Sequence, residues 1–207
     1  MPHSRQHRTY SPIPGSGIPP RGLFLSRWKG LLKPAGLSAI GELELEHFDL
    51  DCVSMLARAT QRSWKLYVCG NEPEIAQGEL AEERWTRFEP HFLKLLCAQG
   101  VELTRHYACL DSKGGAGRRQ RESVFEFPNT GVFYHAMQED GIELGESWVL
   151  SADTNQLAAG WRAGVHTARI GGLGRCQSGD LAVDPDLCAG AMAGLLREVL
   201  LRDPLMR

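Results

Sequence analysis

At 207 residues, 43% hydrophobic and 23% charged, the chain is long enough to bury a core and form one globular domain, which excludes disorder along its whole length. A formal net charge of -2 and a pI near 6.4 exclude a global basic field for nucleic acid or an anionic membrane, so any phosphate recognition has to be local. No apolar run approaches the roughly 20 residues that span a bilayer, and no apolar segment follows Arg5 and Arg8 as in a secretory signal, so a soluble, cytoplasmic protein is expected.

Residues 1–20 are rich in Pro, Ser and Gly with little to bury, and read as a flexible leader before a single domain over 21–207. From Gly22 short apolar runs alternate with amphipathic stretches. Strands are predicted at Gly22–Leu25, Lys65–Cys69, Arg105–Cys109, Trp148–Leu150 and Val165–Ile170, each short and rich in aromatic or branched residues. Between them helices are predicted over Val53–Arg62 and over Leu80–Ala98, where Trp85, Phe88, Phe92 and Leu95 or Leu96 recur at helical spacing and Pro90 should introduce a kink. The Gly-rich, basic stretch DSKGGAGRRQRES, with Arg118, Arg119 and Arg121, reads as a mobile, solvated loop. Further helices follow at Thr130–Asp140, Thr154–Ala163 and Leu187–Leu201, with Gly141 and Gly164 placed to stop the first two and Trp161 expected in the core. The six cysteines form no CxxC pair and no zinc-finger spacing with His, so free buried thiols are expected.

Strands alternating with helices predict an α/β fold: a mostly parallel sheet covered on both faces. In such folds ligands bind beyond the carboxyl ends of the strands. The site is therefore expected just after Leu25, Cys69, Cys109 and Leu150.

Four segments at those strand ends resemble one family. Val68–Gly78, VCGNEPEIAQG, is similar to VVTNQSGIARG. Pro128–Ala136, PNTGVFYHA, is similar to the end of RKPxPGMxxxA. Ser147–Gly164, SWVLSADTNQLAAGWRAG, runs without a gap beside SWMVGDSxxDxxAGxxAG. Arg21–Arg27, RGLFLSR, is placed like AxFLDRDG. In this order and at these separations they resemble the D-glycero-D-manno-heptose 1,7-bisphosphate phosphatases and their histidinol-phosphatase relatives, of the haloacid dehalogenase superfamily. The resemblance implies a three-layer α/β/α Rossmannoid fold without a large cap domain.

It also implies a reaction. In that family an aspartate ending the first strand attacks phosphorus and a second, two residues later, serves as general acid and base. The matching positions here are Ser26 and Trp28. The family's phosphoryl-binding Thr falls on Gly70, its Lys on Phe127, and its two metal-anchoring aspartates on Ala152 and Gln156. A hydroxyl, an indole, a phenyl ring and an amide hold neither Mg²⁺ nor phosphoryl charge as the family's groups do. Asp153 lies one position off, and Asn71 is retained as a candidate ligand-binding or loop-capping residue. The family's zinc loop falls on Cys109, Asp111, Ser123 and Phe125, where Cys109 is the lone remnant of the thiolate set, so no zinc is expected.

Three readings stay open. The first is a catalytically degenerate phosphatase relative, a pseudophosphatase without a cofactor, acting as a binding or regulatory module for a protein partner or a sugar phosphate. The second is an active Mg²⁺-dependent sugar-phosphate phosphatase with non-standard residues, using Asp49 and Asp51 of FDLDC together with Asp153. The spacing opposes it, because Cys52–Ser63 has room for little beyond one helix. The third is an interaction domain presenting Trp28 or Trp161.

Overall fold

The computed structural model describes residues 19–33, 43–62, 64–172, 176 and 179–202; most of the expected leader, 1–18, lies outside them. In chain order the main elements are β1 (Arg21–Ser26), α1 (Leu50–Gln61), β2 (Trp64–Asn71), α2 (Pro73–Ala76), α3 (Glu82–Ala98) and β3 (Arg105–Cys109). They continue with α4 (Gly131–Asp140), β4 (Trp148–Ser151), α5 (Thr154–Arg162), β5 (His166–Ile170), β6 (Leu187–Ala189) and α6 (Met192–Leu201). The six strands form one sheet in the order β3-β2-β1-β4-β5-β6, and every pairing is parallel.

Parallel strands covered on both faces need apolar residues on both sides, and all six residues of β1 are buried. Leu23 and Leu25 pack into a cluster with residues of α1, α3 and α6. Phe24 points the other way, into a cluster with residues of α4 and α5. There it stacks on Tyr67 with ring centroids 4.5 Å apart and meets Phe133 edge-on at 4.7 Å. The result is the expected three-layer α/β/α sandwich. The order reverses between β1 and β4, so the crevice of such a fold lies beyond Ser26 and Ser151. Gly141 and Gly164, at φ 66 and 79, follow α4 and α5 as helix-ending left-handed residues.

Four expectations need correction. The segment Leu187–Ala189 is not helical but an edge strand, paired Ala168 to Leu187, Arg169 to Cys188 and Ile170 to Ala189. Pro185 and Gly190 isolate it, and the last helix begins only at Met192. Helix α3 runs through Pro90 as one element; Pro90 is exposed, where water can serve the carbonyl that proline leaves without a donor. Trp161 is not in the core but 56% exposed. The inward residue is Gly160, whose missing Cβ would come within 2.4 Å of Val149 Cγ1, and the next residue turns away to solvent. Lastly, all six cysteines are free thiols, but Cys97 is exposed and Cys188 half-buried.

Candidate functional site

A cavity of about 380 Å³ lies beyond the strand ends, with Trp28, Glu72, Glu74, Asp111, Glu126 and Asp153 among its walls. It stands where an α/β sheet binds ligands, but its charge is negative. No Lys or Arg is among the cavity's walls.

After β1 the chain folds back on itself. Leu31 N–H donates to the Ser26 carbonyl at 3.3 Å and Leu32 N–H to that of Arg27 at 2.9 Å. Gly30 permits this approach, because a Cβ there would lie 2.7 Å from Ser26 Oγ and 2.4 Å from Met192 Cε. Ser26 Oγ is buried without a hydrogen-bond partner among the described residues, and Ser26 is not a wall of the cavity. Trp28 is a wall, and its indole N–H donates to Glu72 Oε2 at 3.3 Å.

Gly70 leaves room that other groups fill: a Cβ there would lie 3.3 Å from Glu72 Oε1 and 3.5 Å from Arg27 Nη2. Arg27 and Glu72 form an ion pair with both side chains buried. Neither residue stood out in the sequence. Arg27 also contacts His106 Nε2 through Nη1, and His106 Nδ1 lies 2.7 Å from Glu89 Oε1. Burial pulls the Arg27 guanidinium down to about 9, with the Glu89 charge opposing. Burial likewise lowers His106, opposed by its hydrogen bond to Glu89 and assisted by the Arg27 charge. The signal available in the sequence was weak: an Arg closing an apolar strand and a His inside another, with their acidic partners 45 and 17 positions away by the numbering.

Asn71 pins the loop that carries Phe127. Its Nδ2 donates to the Phe127 carbonyl at 2.9 Å and its Oδ1 accepts from the Phe127 N–H at 2.9 Å. The Phe127 ring is buried beside Phe133. At β4, Ala152 packs on the core, while Gln156 is buried with Oε1 accepting from Ser151 Oγ at 2.8 Å. Asp153 caps α5, taking the Asn155 N–H at 2.9 Å, and also faces the cavity. Asp49 caps α1, accepting from the N–H groups of Asp51 and Cys52 at 3.1 and 3.2 Å; Asp51 is exposed.

The structure therefore gathers Trp28, Asn71 and Asp153 at the cavity, and keeps Ser26, Phe127 and Gln156 out of its walls. Among the described residues no three His, Cys, Asp or Glu side chains stand close enough to hold a metal ion. The groups at the two metal-anchoring strand ends, Ser26, Ala152 and Gln156, do not fit Mg²⁺, which takes carboxylate and water oxygens in near-ideal octahedral geometry.

The segment at the family's zinc loop is not free in solvent as expected. Ser112 N–H donates to the Arg119 carbonyl, Arg121 N–H to that of Ser112, and Ala116 N–H to that of Ala76. Arg119 bridges Asp111 at 2.9 Å and Glu82 at 2.6 Å, Arg118 also reaches Glu82, and Arg121 reaches Asp111 at 2.8 Å. Burial opposes ionisation of Asp111, but the bonds from Arg119 and Arg121 outweigh it and hold its carboxyl below the usual range. Burial raises the Cys109 thiol.

Sheet order, buried central strand and cavity position together define a doubly wound parallel α/β protein with its crevice beyond the strand ends, and comparison with known proteins narrows the fold. The chain is 29% identical over 152 residues to the D-glycero-alpha-D-manno-heptose-1,7-bisphosphate 7-phosphatase of Burkholderia mallei, covering 72% of this chain and 79% of that one. A Mesorhizobium loti structure described as HAD-like phosphatase superposes with a TM-score of 0.70 at 21% identity, over 91% of this chain and 90% of that one. The D,D-heptose 1,7-bisphosphate phosphatase of B. bronchiseptica, solved with magnesium and phosphate, gives 0.67 at 13% identity, over 87% and 98%. No family model matches the chain. The chain thus shares the fold of these phosphatases and is similar in sequence to a heptose bisphosphate phosphatase.

Proposed function

We propose that the chain is a phosphatase relative without phosphatase turnover, kept as a cytoplasmic binding or regulatory module. The charge of the cavity carries this reading. A phosphomonoester needs cations at its oxygens; here it would face Glu74, Glu126 and Asp153. Two like unit charges about 4 Å apart cost roughly 4 kcal/mol at an effective dielectric of 20, and the metal and Lys that would offset this are replaced. A nucleophilic role for Ser26 lacks a base, since Oγ has no partner among the described residues. The exposed Trp161 indole supports a protein partner over a sugar phosphate as the bound species. Among the described residues no helix is long and apolar enough to cross a membrane.

The experiment is phosphate release from heptose 1,7-bisphosphate and a panel of sugar phosphates with Mg²⁺, beside the B. mallei relative as positive control. Release at the level of the protein-free blank, unchanged by Asp49→Asn or Asp153→Asn, is expected. Mg²⁺-dependent turnover abolished by either substitution would sink the reading and make the chain an enzyme with displaced carboxylates.

A further inference from the structure

The four-group chain Glu72–Arg27–His106–Glu89 lies behind the cavity described above and ends on its wall at Glu72. Arg27 and Glu72 side chains are 0% and 1% exposed and His106 is 4%, while Glu89 opens to solvent at 36%. Aromatic rings enclose it: Arg27 Cζ lies 4.6 Å from the Trp85 ring centroid and 5.4 Å from that of Trp28, and the His106 ring lies beside Trp85 and Phe92.

The hydrogen bonds fix the state of the imidazole. A guanidinium only donates, so His106 Nε2 must accept from Arg27, and Nδ1–H then donates to Glu89. The ring is neutral in this arrangement. Around the ring, Arg27 comes from the turn after β1, Glu89, Trp85 and Phe92 from α3, and Glu72 acts from the end of β2 through Arg27, while Asp111 and Arg119, paired with each other, share a cavity wall with it. The His106 neighbours on β3 point to the opposite face, where Arg105 pairs with Asp140 and Tyr107 with His135.

We propose that His106 is an acid-sensitive latch on the cavity wall: its protonation releases Arg27, and with it Glu72 and Trp28. The added proton occupies Nε2, so an imidazolium N–H faces a guanidinium N–H where an acceptor had been. The bond is lost, and two cations touch in a largely buried site where solvent screens them little. Glu89 can keep the imidazolium, because its bond to Nδ1–H survives. Arg27 loses its acceptor on the ring and keeps Glu72, so the ion pair moves away from the imidazolium as a unit, and the other Glu72 oxygen carries the Trp28 indole N–H with it. Both Glu72 and Trp28 are cavity walls. The latch does not depend on whether the cavity turns over phosphate.

The test is a titration of the full chain from pH 8 to 5, following the histidine ring signals by NMR together with tryptophan fluorescence. His106→Gln keeps an acceptor for Arg27 and a donor for Glu89 without a titrating proton, and Trp28→Phe identifies the emission that moves. The wild type should show a red shift and loss of Trp28 emission at the pH where the His106 ring titrates, with far-UV circular dichroism unchanged. His106→Gln should abolish it. A His106 ring that stays neutral to pH 5, or the same transition in His106→Gln, overturns the proposal. Should His106→Gln not fold, the ring signal and the Trp28→Phe comparison in the wild-type background decide it alone.

Discussion

Arg27 and Glu72 show how a side chain can be placed by what its neighbours lack. Gly70 offers no side chain, and the guanidinium and carboxylate come within 3.5 and 3.3 Å of where its Cβ would stand. A buried ion pair is a poor source of net stability, because desolvating two ions costs several kcal/mol each, but removing one partner strands the other. Glu72→Ala should therefore cost on the order of 3–5 kcal/mol. The double change Arg27→Met with Glu72→Leu should lose much less, since neither charge then remains buried. Urea unfolding of the two variants and the wild type checks this; a double variant no more stable than Glu72→Ala would mean that the pair itself stabilises the fold.

At the scale of elements, the loop between β3 and α4 is held by charge. Glu82 at the start of α3 takes both Arg118 and Arg119, and Asp111 takes Arg119 and Arg121, so the clasp joins the loop to a helix. Glu82→Ala should speed amide exchange over 112–121 and leave the sheet unchanged, whereas a zinc chelator should not change the wild-type melting temperature. Hydrogen exchange and thermal melts read the two arms, and a chelator-sensitive melt would mean that a metal had been missed. This clasp was not legible in the sequence, where three arginines among glycines read as a solvated run; only their pairing with an acid about 36 positions earlier gives them structure. The same limit explains β6. The three residues Leu187–Ala189 are too few to show a period, and the apolar helix beyond them absorbed the reading. β1, β2 and β4 were legible as short apolar runs, and β3 and β5 as short segments carrying aromatic or branched residues between polar ones. The strand ends, and so the positions of Ser26, Gly70 and Ala152, followed from them. The Arg27 and His106 cluster did not, since burial of a charge is decided by distant partners rather than by local pattern.

Over the whole molecule, several displaced titrations act in the same direction. His106 is lowered from a usual value of about 6.5, so between that value and its folded one the unfolded chain binds the extra proton. Stability then rises with pH in this window and is lost on acidification. Glu89 is held low by the hydrogen bond from His106, against burial, and Asp111 by its two arginines, against burial. For such carboxyls stability is present above their unfolded values of about 4.3 and 3.9 and is lost as pH falls through the folded ones. Stability measured by urea unfolding from pH 8 to 3 should accordingly fall in two stages, one starting below about 6.5 and a second below about 4.5. His106→Gln should flatten the first stage and leave the Asp111 part of the second, while Arg119→Ala should weaken the second alone. A wild-type curve level from pH 8 to 5 would show that His106 keeps its ordinary proton affinity in the fold, and that the buried arginine beside it exerts no effect on the stability of the chain.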